Sequence, residues 1–439
     1  RQQLCKYLVE LMYFSAMDWT HLLNLEFPQL PLDAEDEAIL KELAHKLQDN
    51  YPYHSPDYAG QMIKPPLPLA QAAHWMTSFV NPNNHALDGG RATSALELET
   101  IGALGAMVGY SKPLGHLTSG GTTANLEALW VARQCDANTI VLANEHAHYT
   151  HSRMSEVLGM PFQAIPSTEK GSMNCSKLEA VLAQLHSNGV KATIVVTLGT
   201  TGMGAVDPLE EIVPLARAYG ARIHVDAAYG GYFTLADLPK DVQCHFTAMT
   251  EADSIVIDPH KHGLQPYGCG AVLFKNPEEG RFYKHDSPYT YFTSDQLHLG
   301  EITLECSRAG AAAAALWATQ QKFPYERSGR FAQRLNASLA AAQGLKNSLF
   351  AKGWWVLEPE LDICVFSLSG LKASEISAKN RAFFEHKAEE NIHLALFSLP
   401  KQNCPWAIEW DIPSLTVVRS VLMKPEHNDA GLWERIART

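Results

Sequence analysis

The stretch that decides the fold runs from residue 222 to residue 263. It begins with RIHVDAAYGG (222–231) and ends with SIVIDPHKHG (254–263). Each segment opens with a short apolar run of the kind that forms a buried strand. Polar residues follow at once, Asp226 in the first segment and Lys261 in the second. In a sheet of parallel strands, ligands bind at the carboxyl ends of the strands. We therefore expect Asp226 and Lys261 to face a common site.

The surrounding sequence, from Leu117 to Phe274, favours an α/β fold. Short β-branched or apolar runs alternate there with segments of helical spacing, which is typical of a mostly parallel sheet covered by helices. The expected strands are Gly115–Leu117, Thr139–Ala143, Ala192–Leu198, Arg222–Ala227, Ser254–Ile257 and Gly270–Phe274, and the clearest helices are Thr122–Gln134, Ser176–Ser187 and Leu209–Tyr219.

We predict three parts along the chain. Residues 1–84 form an N-terminal helical arm, with an amphipathic helix at 4–23, followed by a segment on the substrate side. Residues 85–324 form the large α/β domain. Residues 325–439 form a smaller C-terminal α+β domain, because helical and strand patterns are mixed there. Its expected strands are Trp354–Glu358, Ile363–Ser367 and Thr416–Val421.

The composition limits what the protein binds. The 439 residues include 35 Lys+Arg and 47 Asp+Glu, a net charge of −12. This balance argues against nucleic acid or an anionic membrane as a partner. The longest apolar run, Ala309–Ala318, is shorter than the roughly 18 residues that a membrane helix needs. No signal peptide is visible, and eight scattered cysteines without a Cys-x-x-Cys pair favour a reduced, cytoplasmic protein.

Lys261 and Asp226 together suggest covalent cofactor chemistry. A lysine at a strand end inside an apolar body is desolvated, so its pKa falls and its amine can form a Schiff base. A buried carboxylate needs a cationic partner. The protonated pyridine nitrogen of pyridoxal phosphate is one such partner. Taken singly, each residue also fits a plainer role: a surface lysine in a loop, and a loop-capping or metal-binding aspartate.

Two hydroxyl-rich segments lie at the same expected rim. TSGGTTAN (118–125) places two glycines and several hydroxyls at the start of a helix, where free N–H groups suit a phosphate. Ordinary helix caps have the same composition. The segment matches neither of the usual nucleotide-binding glycine patterns. LGTT (198–201) offers further hydroxyls after its own strand.

Histidines form the remaining cluster. NEHAHY (144–149) follows an expected strand, and an imidazole there could stack on a planar cofactor. A different interpretation is a metallohydrolase that binds its metal through His146, His148, His151 and Asp226. No cysteine belongs to this cluster, and the positive charge of Lys261 would repel a metal cation. We therefore predict no metal at the site.

The order of these motifs resembles that of the pyridoxal-phosphate-dependent group II amino-acid decarboxylases, which include glutamate, tyrosine and aromatic amino-acid decarboxylases. The resemblance covers residues 50–320 well and the C-terminal region more weakly. Its most specific part is HVDAA followed by PHK at this separation. It implies fold type I, the aspartate-aminotransferase-like fold of pyridoxal-phosphate enzymes. It also implies a homodimer with the active site at the subunit interface.

The resemblance implies a role for each matched residue. Lys261 would hold pyridoxal 5'-phosphate as an internal aldimine, and Asp226 would pair with the pyridine nitrogen. His148 would stack on one face of the ring and Ala228 would line the other. His260 would lie beside the Schiff base, near the substrate carboxylate or as a proton donor. Three more residues would contact the cofactor, Gly121 and Thr122 at its phosphate and Thr201 near its 3-hydroxyl.

The substrate side is less specific. Gln61 resembles a glutamine of the substrate pocket, and Arg419 matches an arginine that meets a substrate carboxylate in the glutamate-specific branch. A strand arginine in a surface ion pair explains Arg419 equally well. Tyr289 and Tyr291 are both candidates for the proton-donating tyrosine of the catalytic loop. Asp258 departs from the family pattern, since many relatives carry asparagine there, and we assign it no phosphate contact.

The implied reaction is decarboxylation of an L-amino acid to an amine and CO2 through a quinonoid intermediate. Oxidative deamination could follow decarboxylation if the loop tyrosine were missing. The same motifs also serve carbon–carbon lyases, aminotransferases and cysteine desulfurases. Gln61 and the DPHK context favour a decarboxylase. A desulfurase needs a reactive cysteine, and neither Cys269 nor Cys306 has such a context.

Overall fold

The computed structural model describes residues 32–85, 87–284 and 303–438. The helix expected at 4–23 and the candidate proton donors Tyr289 and Tyr291 lie outside these residues. Among the described residues, no helix is both long enough and apolar enough to cross a membrane.

A seven-stranded sheet forms the centre of the fold, as the alternating pattern predicts. Its spatial order is β1-β7-β6-β5-β4-β2-β3, and only β7 runs antiparallel to its neighbours. All residues of β4 and β6 are buried, which explains their continuous β-branched and apolar sequences. The strands are β1 Leu114–Thr118, β2 Ile140–Asn144, β3 Phe162–Ile165, β4 Ala192–Thr197, β5 Arg222–Asp226, β6 Ser254–Ile257 and β7 Gly270–Phe274.

Helices surround this sheet, and local signals fix several of their ends. Asp33 caps the first helix by accepting hydrogen bonds from two backbone N–H groups. Gly220 ends the seventh in the left-handed conformation that glycine tolerates best. In chain order they are α1 Ala34–Leu47, α2 Pro68–Ser78, α3 Arg91–Met107, α4 Gly121–Cys135, α5 Thr150–Leu158, α6 Cys175–Ser187, α7 Leu209–Tyr219, α8 Lys240–Thr247 and α9 Ala311–Lys322.

Two elements beside the site were not expected from the sequence. β3 is only four residues long, and two of them are exposed at the sheet edge, so it carries little apolar signal. α5 has only four buried residues among nine, and these include a histidine and a serine. Both elements follow the His146–His148 segment.

A second, four-stranded antiparallel sheet builds the smaller domain, in the order β10-β11-β9-β8. Residues 414–421 form its longest strand, two residues longer at the start than expected. The elements are α10 Arg330–Ala351, β8 Trp355–Val356, β9 Ile363–Ser367, α11 Ala373–Glu389, β10 Ala395–Pro400, β11 Ser414–Val421 and α12 Ala430–Ile436. The α/β architecture with a smaller α+β domain is confirmed, while the exact domain limits stay predictions.

The segment before α2 joins the two sheets. The Ala59 N–H donates to His393 O at 2.8 Å, and the Leu67 N–H donates to Leu264 O at 2.8 Å. One end of this segment therefore lies on the small domain and the other on the loop that follows Lys261. Gln61 lies between these two anchors.

Candidate active site

The carboxyl ends of the parallel strands open onto a cavity of about 310 Å³. This volume is at the small end of the range for ligand pockets. All eight residues predicted to bind the cofactor line it, although they come from five separate segments of the chain. They are Gly121, Thr122, His148, Thr201, Asp226, Ala228, His260 and Lys261.

Asp226, at the end of β5, is held by two donors. His151 Nε2 lies 2.8 Å from Asp226 Oδ2, and the Ala228 N–H donates to Asp226 Oδ1 at 3.1 Å. Burial raises the pKa of Asp226, but the bond to His151 and the charge of Lys261 outweigh it and hold that pKa well below its usual range. The carboxylate therefore stays ionised and can pair with a cation. The sequence indicates His151 only as a candidate metal ligand and gives no sign of its contact with Asp226.

Lys261 lies against a carboxylate rather than in an apolar pocket. Its Nζ is 2.9 Å from Asp258 Oδ2. Burial lowers the pKa of Lys261, but the charges of Asp258 and Asp226 raise it further than burial lowers it. The expected fall in this pKa is thus wrong for the protein without cofactor, because two carboxylates share the site.

The start of α4 forms a cradle at one end of the cavity. The first N–H groups of a helix have no acceptor within it, so they are available to an anion. Asp258 approaches closely here: a Cβ atom built on Gly121 would lie 2.7 Å from Asp258 Oδ2. The absence of a side chain at Gly121 is what lets the Asp258 carboxylate come close to the start of α4. The Ser119 N–H beside the cradle donates to Glu305 Oε2 at 3.1 Å.

Two histidines of the cavity are held in fixed orientations. His148 Nδ1 accepts a hydrogen bond from the Thr150 N–H at 3.2 Å. The His260 ring stacks on Tyr267 with their centroids 4.6 Å apart, and Tyr267 donates to Met62 O. Burial lowers the pKa of both imidazoles. Both rings are therefore biased toward the neutral form.

Asp207 organises the rim on the Thr201 side. This buried carboxylate accepts hydrogen bonds from the Thr197 and Met173 N–H groups at 2.8 and 2.7 Å, and from Asn144 Nδ2 at 2.7 Å. Burial raises the pKa of Asp207 to about 6. It ties the ends of β2 and β4 together, which positions the two loops that carry His148 and Thr201. The sequence gives no pattern that reveals this role.

Asp362 links the small domain to the same site. It lies fully buried just before β9. Tyr229 donates to its Oδ1 at 2.5 Å, and His262 Nε2 is 3.2 Å from its Oδ2. Tyr229 follows Ala228 closely in the chain, and His262 follows Lys261 directly. One carboxylate of the small domain therefore contacts both cofactor-side loops, which the sequence did not indicate.

The two predicted substrate residues lie together, but neither lines the cavity. Arg419 Nη1 donates to Gly60 O, the neighbour of Gln61, at 3.2 Å. Arg419 is only 5% exposed, so the surface ion-pair interpretation is wrong. Among the described residues, its Nε and Nη2 have no hydrogen-bond partner. Two buried donors are thus free to bind an acceptor.

The histidine cluster does not converge on one point. His146 Nε2 lies 2.8 Å from Asn403 Oδ1, while His148 bonds to the Thr150 backbone and His151 to Asp226. Each imidazole has a separate partner, which disfavours the metallohydrolase interpretation. Cys269, considered for a desulfurase, is buried, and burial raises the pKa of its thiol.

Comparison with known proteins identifies the class. The sequence model of the pyridoxal-dependent decarboxylase conserved domain matches residues 19–368, well over half of the chain. The protein therefore belongs to the pyridoxal-dependent decarboxylase family. The family and its members indicate pyridoxal-phosphate-dependent decarboxylation of an amino acid. The residues of the cavity fit this cofactor: Lys261 supplies an amine, Asp226 an ionised carboxylate and α4 an anion cradle.

Individual relatives differ in substrate. The chain is 32% identical over 306 residues to a probable L-aspartate decarboxylase of Halobacterium salinarum, covering 69% of this chain and 80% of that one. It is 27% identical over 409 residues to an L-tyrosine decarboxylase of Enterococcus faecium, covering 71% and 67%. An L-2,4-diaminobutyrate decarboxylase of Acinetobacter baumannii is 30% identical over 275 residues. That match spans 56% of this chain and about half, 53%, of the relative.

Solved structures show the same fold. Mouse CSAD in its apo form superposes with a TM-score of 0.80 at 19% identity, covering 100% of this chain and 98% of that one. Oryza sativa TDC with PLP and tryptamine superposes with a TM-score of 0.81 at 16% identity, covering 99% and 96%. At this identity the likeness concerns the fold alone. It confirms the fold type I expectation.

Proposed function

We propose that this protein decarboxylates an acidic L-amino acid to the corresponding amine, with pyridoxal phosphate held covalently on Lys261. The observation that carries this proposal is the meeting of Lys261, Asp226 and the start of α4 around one cavity. When bound, the cofactor supplies an electron sink for the pair of electrons left by departing CO2. The residues described below orient the reactants and hold the protons.

Asp226 has the clearest role in this proposal. Its ionised carboxylate would pair with the pyridine nitrogen and keep that nitrogen protonated, so that the ring could accept electrons. His151 holds the carboxylate at 2.8 Å. His148 and Ala228 would line the two faces of the ring. Gly121 and Thr122 would bind the phosphate at the start of α4, and Thr201 would contact the 3-hydroxyl side.

The reaction needs a proton at Cα, where it replaces the carboxyl group that leaves as CO2. His260 is a candidate donor because it lies beside Lys261 and its Nδ1 has no hydrogen-bond partner among the described residues. Tyr289 and Tyr291 remain the other candidates. His260 would deliver this proton from its imidazolium form, which leaves the neutral imidazole, and the ring would then take up a proton from solvent.

An acidic substrate is favoured by Arg419 and Gln61. Among the described residues, the buried Arg419 guanidinium has two nitrogens without a partner and no carboxylate in hydrogen-bonding contact, so it is suited to a bidentate bond with an anionic side chain. The relatives named above include a probable aspartate decarboxylase as well as tyrosine and diaminobutyrate decarboxylases. These names do not agree on the side chain of the substrate, so the proposal of an acidic substrate rests on Arg419.

A cytoplasmic homodimer completes the proposal, with the active site at the subunit interface. The described cysteines are all free thiols, as in reducing compartments. The end of α2 exposes Met76 (66%), Phe79 (58%) and Val80 (77%), which lie close together in the chain. Exposed apolar side chains grouped in this way are typical of a protein interface. We expect no nucleic-acid or membrane partner.

The experiment that tests the proposal is a survey of CO2 release from the holoenzyme with each of the twenty amino acids. We expect aspartate or glutamate to give the highest kcat/KM. Release from an aromatic or basic amino acid alone would keep the decarboxylase assignment and refute the acidic substrate. The Arg419→Gln variant should raise KM for the acidic substrate at least tenfold. Arg381→Gln is the matched control, since Arg381 also contacts β11, through Thr416 Oγ1, away from Gln61.

A further inference from the structure

A second cluster of reactive side chains lies outside the cofactor cavity. Glu210 is in the first turn of α7, and Cys244 and His245 are in the last turn of α8. One carboxylate oxygen, the thiol sulfur and one imidazole nitrogen all lie within 4.8 Å of one another. In the described part of the chain, no other three histidine, cysteine or acidic residues meet this closely. None of the three lines the cofactor cavity.

One separation in this cluster matches that expected in a tetrahedral zinc site. Cys244 Sγ and His245 Nδ1 are 3.6 Å apart. Two ligands at about 2.3 Å (sulfur) and about 2.05 Å (nitrogen) from one tetrahedral ion are separated by about 3.6 Å. The distance between these two atoms is therefore compatible with their binding one zinc ion. The carboxylate of Glu210 lies within reach of the same point.

The donor types also select the ion. Thiolate and imidazole favour Zn²⁺ over Mg²⁺ or Ca²⁺, which prefer oxygen ligands. Burial, followed by the adjoining Glu210 carboxylate, raises the pKa of the Cys244 thiol to about 11. Without an ion this thiol therefore keeps its proton. When Zn²⁺ binds, the S–H bond breaks, the proton goes to solvent and the sulfur pair forms the Zn–S bond.

The site is open to solvent on one side. It borders a groove of about 790 Å³. Besides Glu210, the charged residues that line this groove are Asp237, Glu251, Lys240 and Arg327. Glu251 already pairs with Arg217, and Asp237 already bonds to Asn336. Glu210 forms no salt bridge with Lys240 or Arg327. Water from the groove can supply a fourth ligand.

We propose that Glu210, Cys244 and His245 bind one Zn²⁺ ion, with water in the fourth position. The ion would join the start of α7 to the end of α8. Three protein ligands and one open position are the arrangement of zinc sites that keep an exchangeable ligand. This inference is independent of the decarboxylase assignment, because it uses none of the same residues.

The test is a titration of the full-length holoenzyme with Cd²⁺, which replaces Zn²⁺ and gives a thiolate charge-transfer band in the ultraviolet. We expect one equivalent to bind with this band, and Zn²⁺ to compete it away. Cys244→Ser should abolish the band, and His245→Ala should weaken binding at least tenfold. Cys135→Ser is the control, since Cys135 is an exposed thiol outside the cluster, and this variant should bind like the wild type.

A second measurement separates loss of the ion from loss of the fold. In a chelator, the melting temperatures of the wild type and Cys244→Ser should agree closely, and added Zn²⁺ should raise only that of the wild type. The proposal is overturned if the wild type shows no band, if the band persists in Cys244→Ser, or if Cys135→Ser loses it equally. It is also overturned if Zn²⁺ stabilises both proteins alike.

Discussion

Replacing Asp226 with asparagine removes one negative charge from the cavity while keeping the size of the side chain. In the structure both carboxylate oxygens accept hydrogen bonds, from His151 Nε2 at 2.8 Å and from the Ala228 N–H at 3.1 Å. An asparagine has only one acceptor oxygen. Its NH2 group must therefore face one of these two groups, and both hydrogen bonds are kept only if it faces His151 and that ring moves its proton to Nδ1.

The expected effect is a fall in kcat of at least 10² to 10³, or about 2.7–4 kcal/mol, which is the usual cost of removing one placed electrostatic partner. The physical reason is that a neutral amide cannot keep the pyridine nitrogen protonated. The ratio of the wild-type rate to the variant rate should not change with pH. The pKa of Asp226 lies well below the assay range, so the wild-type carboxylate is ionised throughout it.

The assay is CO2 release from variant saturated with cofactor, with its visible absorbance recorded to confirm loading. Asp253→Asn serves as the control, since Asp253 accepts a hydrogen bond from the Ile223 N–H at the far end of β5. It should keep the wild-type rate within a few-fold. A loaded Asp226→Asn enzyme with near-normal kcat would refute the assignment of Asp226. His151→Gln should lose less, about tenfold, because the carboxylate remains.

Three more perturbations test other parts of the site. Asp258→Asn should tighten binding of pyridoxal phosphate to the cofactor-free protein by on the order of tenfold in equilibrium dialysis, since the carboxylate pairs with Lys261 beside the anion cradle; weaker binding would contradict this. Asp362→Asn should lower the free energy of unfolding in urea by about 1–3 kcal/mol, because the amide has one acceptor oxygen for Tyr229 and His262, which meet both oxygens of the buried carboxylate; an unchanged free energy of unfolding would contradict this. The third perturbation is Lys424→Met. Burial lowers the pKa of Lys424 to about 7. Between that pH and the unfolded pKa of about 10.4, the unfolded state binds more protons than the folded state. The free energy of unfolding of the wild type therefore rises in this range, by up to about 1.4 kcal/mol per pH unit. The variant lacks this gain, and parallel stability profiles for the two proteins would contradict it.

The sequence predicted the residues that follow strands and missed those that reach the site from elsewhere. Asp226 and Lys261 each follow a short apolar run, and strand ends meet at one edge of a parallel sheet. All the predicted cofactor residues therefore line one cavity. Asp362 reaches the same site from the small domain, far along the chain, and a single buried aspartate before a strand carries no signal of its partners.

The charge state of the site was the hardest feature to predict. An apolar run before Lys261 suggests desolvation, which lowers the pKa of an amine. Two carboxylates, Asp258 and Asp226, reverse this effect and raise the pKa of Lys261. Their distances to Lys261 depend on tertiary packing, which the sequence pattern does not show. His151 was missed because the buried face of α5 is mostly polar, so no apolar pattern showed on which face its histidine lies.

The central claim is that one lysine holds the cofactor, and borohydride reduction tests it most directly. The holoenzyme is reduced, digested and analysed by mass spectrometry to locate the pyridoxyl group. The account predicts a single modified peptide, labelled on Lys261, together with loss of the visible absorbance. Labelling of a different lysine, such as Lys64 or Lys424, or no labelling of a protein shown to contain the cofactor, would contradict it.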